Sequence, residues 1–136
     1  MMAANADKKL ILVVDDEPDV VTYLTTLLED NGYATDSAKD GNEAMDKIKQ
    51  KKPDLISLDM SMPEKSGVKL YRELKSDESL AGIPVVVVTG VTGFGGSSED
   101  FEKFLGTRKQ VPPPDAFIAK PLDQKELLKK VAELLA

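Results

Sequence analysis

The sequence predicts an α/β domain, a doubly wound five-stranded parallel sheet with helices on both faces. Three observations carry this. Short apolar runs recur five times, and most are nearly unbroken, which marks strands covered on both faces rather than one. Amphipathic helical stretches alternate with those runs, the order expected of stacked strand–helix–strand units. At 136 residues the chain has the size of one domain, enough to bury a proper core without a disulfide or a structural metal.

The elements follow in order. Leu10-Ile11-Leu12-Val13-Val14 is a branched run of strand length. Pro18 occupies a first helical position, and Val20, Val21, Leu24, Leu27 and Leu28 recur at helical spacing until Asn31-Gly32 supplies a left-handed stop. Tyr33 to Ser37 is a weaker second strand. Asp40 with Glu43 resembles a capping box, opening a helix whose inner face is Ala44, Met45 and Ile48 and whose end Pro53 marks. Leu55 to Leu58 is the third strand. A loop from Met60 to Ser66 leads to a helix presenting Val68, Tyr71 and Leu74. Pro84 precedes the fourth strand, Val85 to Val88, and Ala116 to Ala119 is the fifth. Between them lie Gly90, Gly93, Gly95 and Gly96, a short helical piece around Phe101, Phe104 and Leu105, and Val111-Pro112-Pro113-Pro114. The last helix is capped by Asp123 with Glu126 and packs through Leu127, Leu128, Val131, Leu134 and Leu135. No internal repeat or second domain is evident; residues 1–8 read as a short disordered leader and 9–136 as the folded domain.

Composition excludes several function classes. The chain has neither cysteine nor histidine, so thiolate nucleophiles, imidazole bases, zinc sites of the usual N/S kind and disulfides are absent. A net charge of −6 argues against a nucleic-acid surface or an anionic membrane surface. No apolar stretch approaches the ~20 residues of a membrane span, and the polar start of the chain is unlike a signal peptide. A cytoplasmic location is expected. Any chemistry must run on carboxylates, hydroxyls, lysines and hard cations.

In an open parallel sheet ligands bind beyond the carboxyl ends of the strands. Asp15, Asp16 and Glu17 follow the first strand here, Asp59 ends the third, Thr89 the fourth, and Lys120-Pro121 follow the fifth. Clustered carboxylates repel unless a cation lies among them, and magnesium takes oxygen ligands while keeping several waters. With the ion on Asp16 and Asp59, the remaining Asp59 oxygen can attack an electrophile and form an aspartyl phosphate. Magnesium, Lys120 and the Thr89 hydroxyl would then meet the phosphoryl charge. Each residue also has a structural reading: Asp15-Asp16 as a helix cap and first-turn acid, Asp59 as a turn former, Lys120-Pro121 as a helix start, Phe117 as core. Their coincidence at the strand ends favours a site.

Asp15-Asp16, Asp59-Met60-Ser61-Met62-Pro63-Glu64-Lys65-Ser66-Gly67, Thr89-Gly90 and Phe117-Ile118-Ala119-Lys120-Pro121 together resemble the receiver domain of two-component response regulators, of the stand-alone, chemotaxis-receiver-like kind. The likeness runs from about Lys9 to the end of the chain. It implies the flavodoxin-like strand order 2-1-3-4-5. It further implies that Asp59 is the phosphoacceptor and that Asp16 ligates Mg2+ directly, Asp15 through a water and Ser61 by its backbone carbonyl. By the same resemblance Lys120 pairs with the phosphoryl oxygens, Thr89 and Phe117 form the switch, and Pro121 follows a cis peptide bond. The implied partners are a sensor histidine kinase or phosphotransfer protein, whose histidine this chain lacks, and a downstream protein read through the face of the fourth helix, fifth strand and fifth helix.

Thr89 and Lys120 lie 31 positions apart, longer than that family usually allots, and the backbone freedom of the glycines in this excess leads us to expect that the loop from Gly90 to Ser97 is mobile and becomes ordered, or shifts, when Asp59 is phosphorylated. Single-domain signalling, a relay step or a receiver within a longer regulator all fit the motifs. An aspartate-nucleophile phosphatase fits less well, since its Asp-x-Asp pattern is replaced by adjacent acids and no cap domain is evident. A flavodoxin-like flavin binder would repel its cofactor's phosphate at the acidic rim. Lys47, Lys49, Lys51 and Lys52 read as a solvated helix face, and Asp36, Asp77 and Glu78 as surface.

Overall fold

A computed structural model describes residues 8–59, 66–89, 116–119 and 123–135. Its elements are β1 (Leu10–Val14), α1 (Pro18–Asp30), β2 (Ala34–Ala38), α2 (Gly41–Gln50), β3 (Leu55–Leu58), α3 (Ser66–Ser76), β4 (Val85–Thr89), β5 (Ala116–Ala119) and α4 (Gln124–Leu135). The five strands form one parallel sheet in the order β2-β1-β3-β4-β5, as the resemblance to receiver domains implies. The helical piece around Phe101, the glycine and proline clusters, Ser61, Lys120, Pro121 and residues 1–7 lie outside the described residues.

Strand alternation sorts the core into two layers. Leu12 and Val14 of β1, Ile56 and Leu58 of β3, and Val85 and Val87 of β4 pack with Ala44, Ile48, Leu70, Tyr71 and Leu74 of α2 and α3. Ile11, Val13, Leu55, Val86, Val88 and Ile118 pack on the other face with Leu24 and Leu28 of α1 and Leu127 and Val131 of α4. Each fully buried aliphatic side chain contributes about 1.5–3 kcal/mol over its exposed state. Covering both faces explains why β1 and Val85–Val88 of β4 are continuously apolar and why β3 is broken only by the buried Ser57, where a half-exposed strand would alternate.

Helix ends follow the local chemistry. Pro18 opens α1, and Gly32 ends its turn at φ +94°, with its N–H on the Glu29 carbonyl (3.1 Å) and the Tyr33 N–H on that of Leu28 (3.1 Å). Asp40 caps α2 by accepting the Glu43 N–H at 2.8 Å. The Glu43 side chain reaches back one residue further than a capping box requires, to the Lys39 N–H at 2.8 Å. Asp123 accepts the N–H groups of Lys125 (2.9 Å) and Glu126 (3.2 Å) at the start of α4.

Two readings are corrected, on β2 and Lys47, and one alternative, on Asp15 and Asp16, is set aside. The second strand spans Ala34–Ala38, one residue later than the weak apolar pattern of Tyr33 to Ser37 suggests, because Tyr33 is spent closing the α1 turn. Asp15 and Asp16 do not cap α1: Glu17 is the capping position, without a side-chain cap. Lys47 is not simply solvated. It is half-buried, and its ammonium donates to the Ser37 carbonyl and pairs with Asp36 at 3.1 Å, tying α2 to the outer strand.

Candidate functional site

The acids at the sheet rim are brought together by strand register. Val14 and Leu58, the last residues of β1 and β3, are direct partners, so the residues that follow them leave the sheet side by side. The ladder continues one step past both strands. Asp59 donates its N–H to the Val14 carbonyl at 3.0 Å, and Asp15 donates its own to the Ala38 carbonyl at 3.0 Å. Asp15 and Asp59 are thereby held as sheet residues, each only 2% exposed, while Asp16 projects into solvent.

One carboxylate oxygen from each of Asp15, Asp16 and Asp59 lies within 4.8 Å of the other two. Asp15 is oriented by a local turn in which its Oδ1 accepts the Glu17 N–H at 2.9 Å. Pro18, at the first helical position, fixes the backbone that presents this donor. Asp59 Oδ2 is fully buried at the base of the cluster. Three hard oxygen donors, two of them sunk in the rim and one exposed at its surface, suit a divalent cation such as magnesium.

Of the other residues singled out in the sequence, Thr89 closes β4 two positions beyond Val87, the partner of Leu58. Phe117 sits in β5 opposite Val87, so Val87 separates it from β3 in the sheet. Ser61 and Lys120 lie outside the described residues. Sequence reasoning missed the backbone supports: the Glu17 N–H and the Val14 and Ala38 carbonyls. The first had a signal, an aspartate placed two residues before the residue ahead of a proline. The carbonyls had none, because they depend on register between strands.

The family model of the response regulator receiver domain matches residues 11–132. The chain belongs to that family. It is 35% identical over 127 residues to the alkaline phosphatase synthesis transcriptional regulatory protein PhoP of Bacillus subtilis, with 93% of this chain and 48% of PhoP covered. Against protein PilH of Pseudomonas aeruginosa it is 32% identical, covering 93% of this chain and 97% of PilH. The chain thus spans about half of one relative and nearly all of the other. Among solved structures, the response regulator TrrA of Thermotoga maritima in complex with Mg2+-BeF superposes with a TM-score of 0.75 at 30% identity, over 93% of this chain and 99% of that one.

Receivers are signalling domains of two-component systems that interact with histidine kinases or phosphotransfer proteins, and an aspartate of the domain accepts the phosphoryl group. The acidic cluster of this receiver is compatible with Mg2+. No helix among the described residues is long and apolar enough to cross a membrane.

Proposed function

We propose that this receiver acts as a single-domain response regulator whose phosphoacceptor is Asp59. The observation that carries the proposal is the meeting of Asp15, Asp16 and Asp59 within 4.8 Å at two adjacent strand tips. Asp16 and Asp59 would hold Mg2+ directly, Asp15 through a water, and the Ser61 carbonyl would complete the protein ligands. Bound there, the ion would neutralise the carboxylates and draw charge from the phosphoryl oxygens. The TrrA complex with Mg2+-BeF supports this choice of ion.

In the transfer an Asp59 carboxylate oxygen forms a bond to phosphorus as the phosphorus–nitrogen bond of the donor phosphohistidine breaks. The departing imidazole keeps the electron pair and takes up a proton. The donor histidine lies outside these 136 residues, which contain none. Lys120 would pair with the transferred group. Thr89 and Phe117, flanking Val87 on β4 and β5, would carry its presence to the face formed by the helical piece expected around Phe101, β5 and α4. A phosphoryl group adds about −1.5 to −2 charges at the rim, a large change for a site already crowded with acids. Output by protein contact fits the net charge of −6 better than direct nucleic-acid binding. The coverage of only 48% of PhoP favours a second reading, the same chemistry serving as the receiver part of a longer regulator.

Incubation with a small acyl phosphate and Mg2+ tests the assignment. One base-labile phosphoryl per chain is expected, lost in Asp59→Asn and absent when Mg2+ is chelated. Slow consumption of the donor by autodephosphorylation is expected, rapid turnover of many equivalents would instead indicate a phosphatase, and undiminished labelling of Asp59→Asn would overturn the choice of residue.

A further inference from the structure

β2 is an edge strand, bonded to β1 on one side only. Its inward peptide groups are those of Ala34 and Ala38, which bond to Lys9 and Asp15 of the neighbouring chain segment, and by alternation that of Asp36. Thr35 and Ser37, with Lys39 just beyond the strand, therefore face outward. An outward row of N–H and C=O groups is a template for another strand, and two identical edges can satisfy one another about a two-fold axis. The strand is otherwise suited to this: Ala34-Thr35-Asp36-Ser37-Ala38 has small side chains and a single charge.

Part of that outward row, at Ser37 and Lys39, is already occupied from within the chain. The Ser37 N–H donates to Asp36 Oδ1 at 2.8 Å, and the Ser37 carbonyl accepts from the Lys47 ammonium. The Lys39 N–H donates to Glu43 Oε1 at 2.8 Å. Lys47 then links the two acids, at 3.1 Å from Asp36 and 3.8 Å from Glu43. As surface ion pairs these would contribute little, yet each member also fills a main-chain group of the edge.

We propose that Asp36, Glu43 and Lys47 form an edge cap that keeps β2 closed to strand addition by a second copy of this chain. The cap works by occupancy: a second strand would have to displace the Lys47 ammonium from the Ser37 carbonyl and the Asp36 carboxylate from the Ser37 N–H. It would also bring the Asp36 side chains of both copies towards the shared edge. This inference stands apart from the phosphorylation chemistry and does not rest on it.

The absence of native cysteine allows a clean test. Thr35→Cys places one thiol on the edge strand, in place of the hydroxyl that donates to Glu29 of α1, and disulfide-linked dimer is measured under mild oxidation in the otherwise native chain and with Asp36→Ala and Lys47→Met added. A several-fold rise in cross-linking, with a concentration-dependent increase in mass by light scattering, is expected when the cap is removed. Equal cross-linking and equal mass in both backgrounds would overturn the proposal. Circular dichroism checks that the variants are folded. If the combined variant is not, Lys47→Met alone decides: it retains Asp36, so a smaller rise is expected, and no rise counts against the cap.

Discussion

The main-chain N–H of Asp59 bonds to the carbonyl of Val14, 3.0 Å away on the adjacent strand. This bond extends the β1–β3 ladder past the last apolar pair, Val14 and Leu58, into the acidic rim. The acid that would receive the phosphoryl group is therefore part of the sheet, with the rigidity of a sheet residue. Placing a reactive group on a regular element rather than a loop holds its geometry tightly.

Asp16 should be a destabilising residue without metal and a stabilising one with it. Asp16→Asn is expected to raise the thermal midpoint of the metal-free domain, since it removes one of three clustered charges. In the native chain, Mg2+ at a hundredfold excess over its Kd should add about 2.7 kcal/mol by binding only the folded state. That increment should shrink in the variant. Thermal unfolding with Mg2+ and with a chelator reads both effects, and an unchanged increment would remove Asp16 from the metal site.

Asp15 is assigned a role through water. Asp15→Asn keeps the Oδ1 that accepts the Glu17 N–H, so the turn into α1 should survive while the charge is lost. Mg2+ affinity by titration calorimetry is expected to fall roughly 10–100-fold, the range typical of outer-shell partners. The circular dichroism spectrum should not change.

The sheet divides the core, and the division is measurable. Ile11 packs in the α1–α4 layer and Ile48 in the α2–α3 layer. Ile11→Val and Ile48→Val should each cost about 0.5–1.5 kcal/mol in urea unfolding. The double variant should equal their sum within about 0.5 kcal/mol, because the two sites share no packing partners. A clear excess would mean that the layers are coupled through the strands.

Asp77 supplies a pH dependence outside the site. Hydrogen bonds from the Ser79 hydroxyl (2.7 Å) and N–H (2.9 Å) hold its carboxyl below the ordinary value of 3.8. A carboxyl depressed on folding stabilises the fold at pH values above its unfolded pKa, and that stabilisation is lost as pH falls through the folded one. Ser79→Ala removes the larger cause, so the Asp77 carbon resonance should titrate closer to 3.8 and the acid-limb contribution should diminish. A titration unchanged by the substitution would contradict the hydrogen-bond cause.

The strands and helices described here were legible because their cause is local. Val85 to Val88 is buried on both faces and reads that way, and Asp40 and Asp123 are caps whose chemistry lies within three residues. The gathering of Asp15, Asp16 and Asp59 at one rim was legible because Asp15 and Asp59 directly follow strand runs and Asp16 comes next in the chain. The frame of β2 was not, since Thr35, Asp36 and Ser37 carry no apolar period and the strand is placed by pairing with β1. Lys47 was misjudged for a related reason. Its partners, Asp36 and Ser37, are ten or eleven positions away and meet it only after the edge strand docks. Nothing in the sequence alone distinguishes such a lysine from its neighbours Lys49 and Lys51.

The alternation within Leu10–Val14 has a consequence for how the domain tolerates change in length. Ile11 and Val13 belong to one layer, Leu12 and Val14 to the other, while the strand's end sets where Asp15 begins. Inserting a single residue in this run would reverse inside and outside for everything beyond it and carry the acid pair off the level of Asp59. Insertions and deletions are therefore barred from these five positions even where substitutions between aliphatic residues are absorbed.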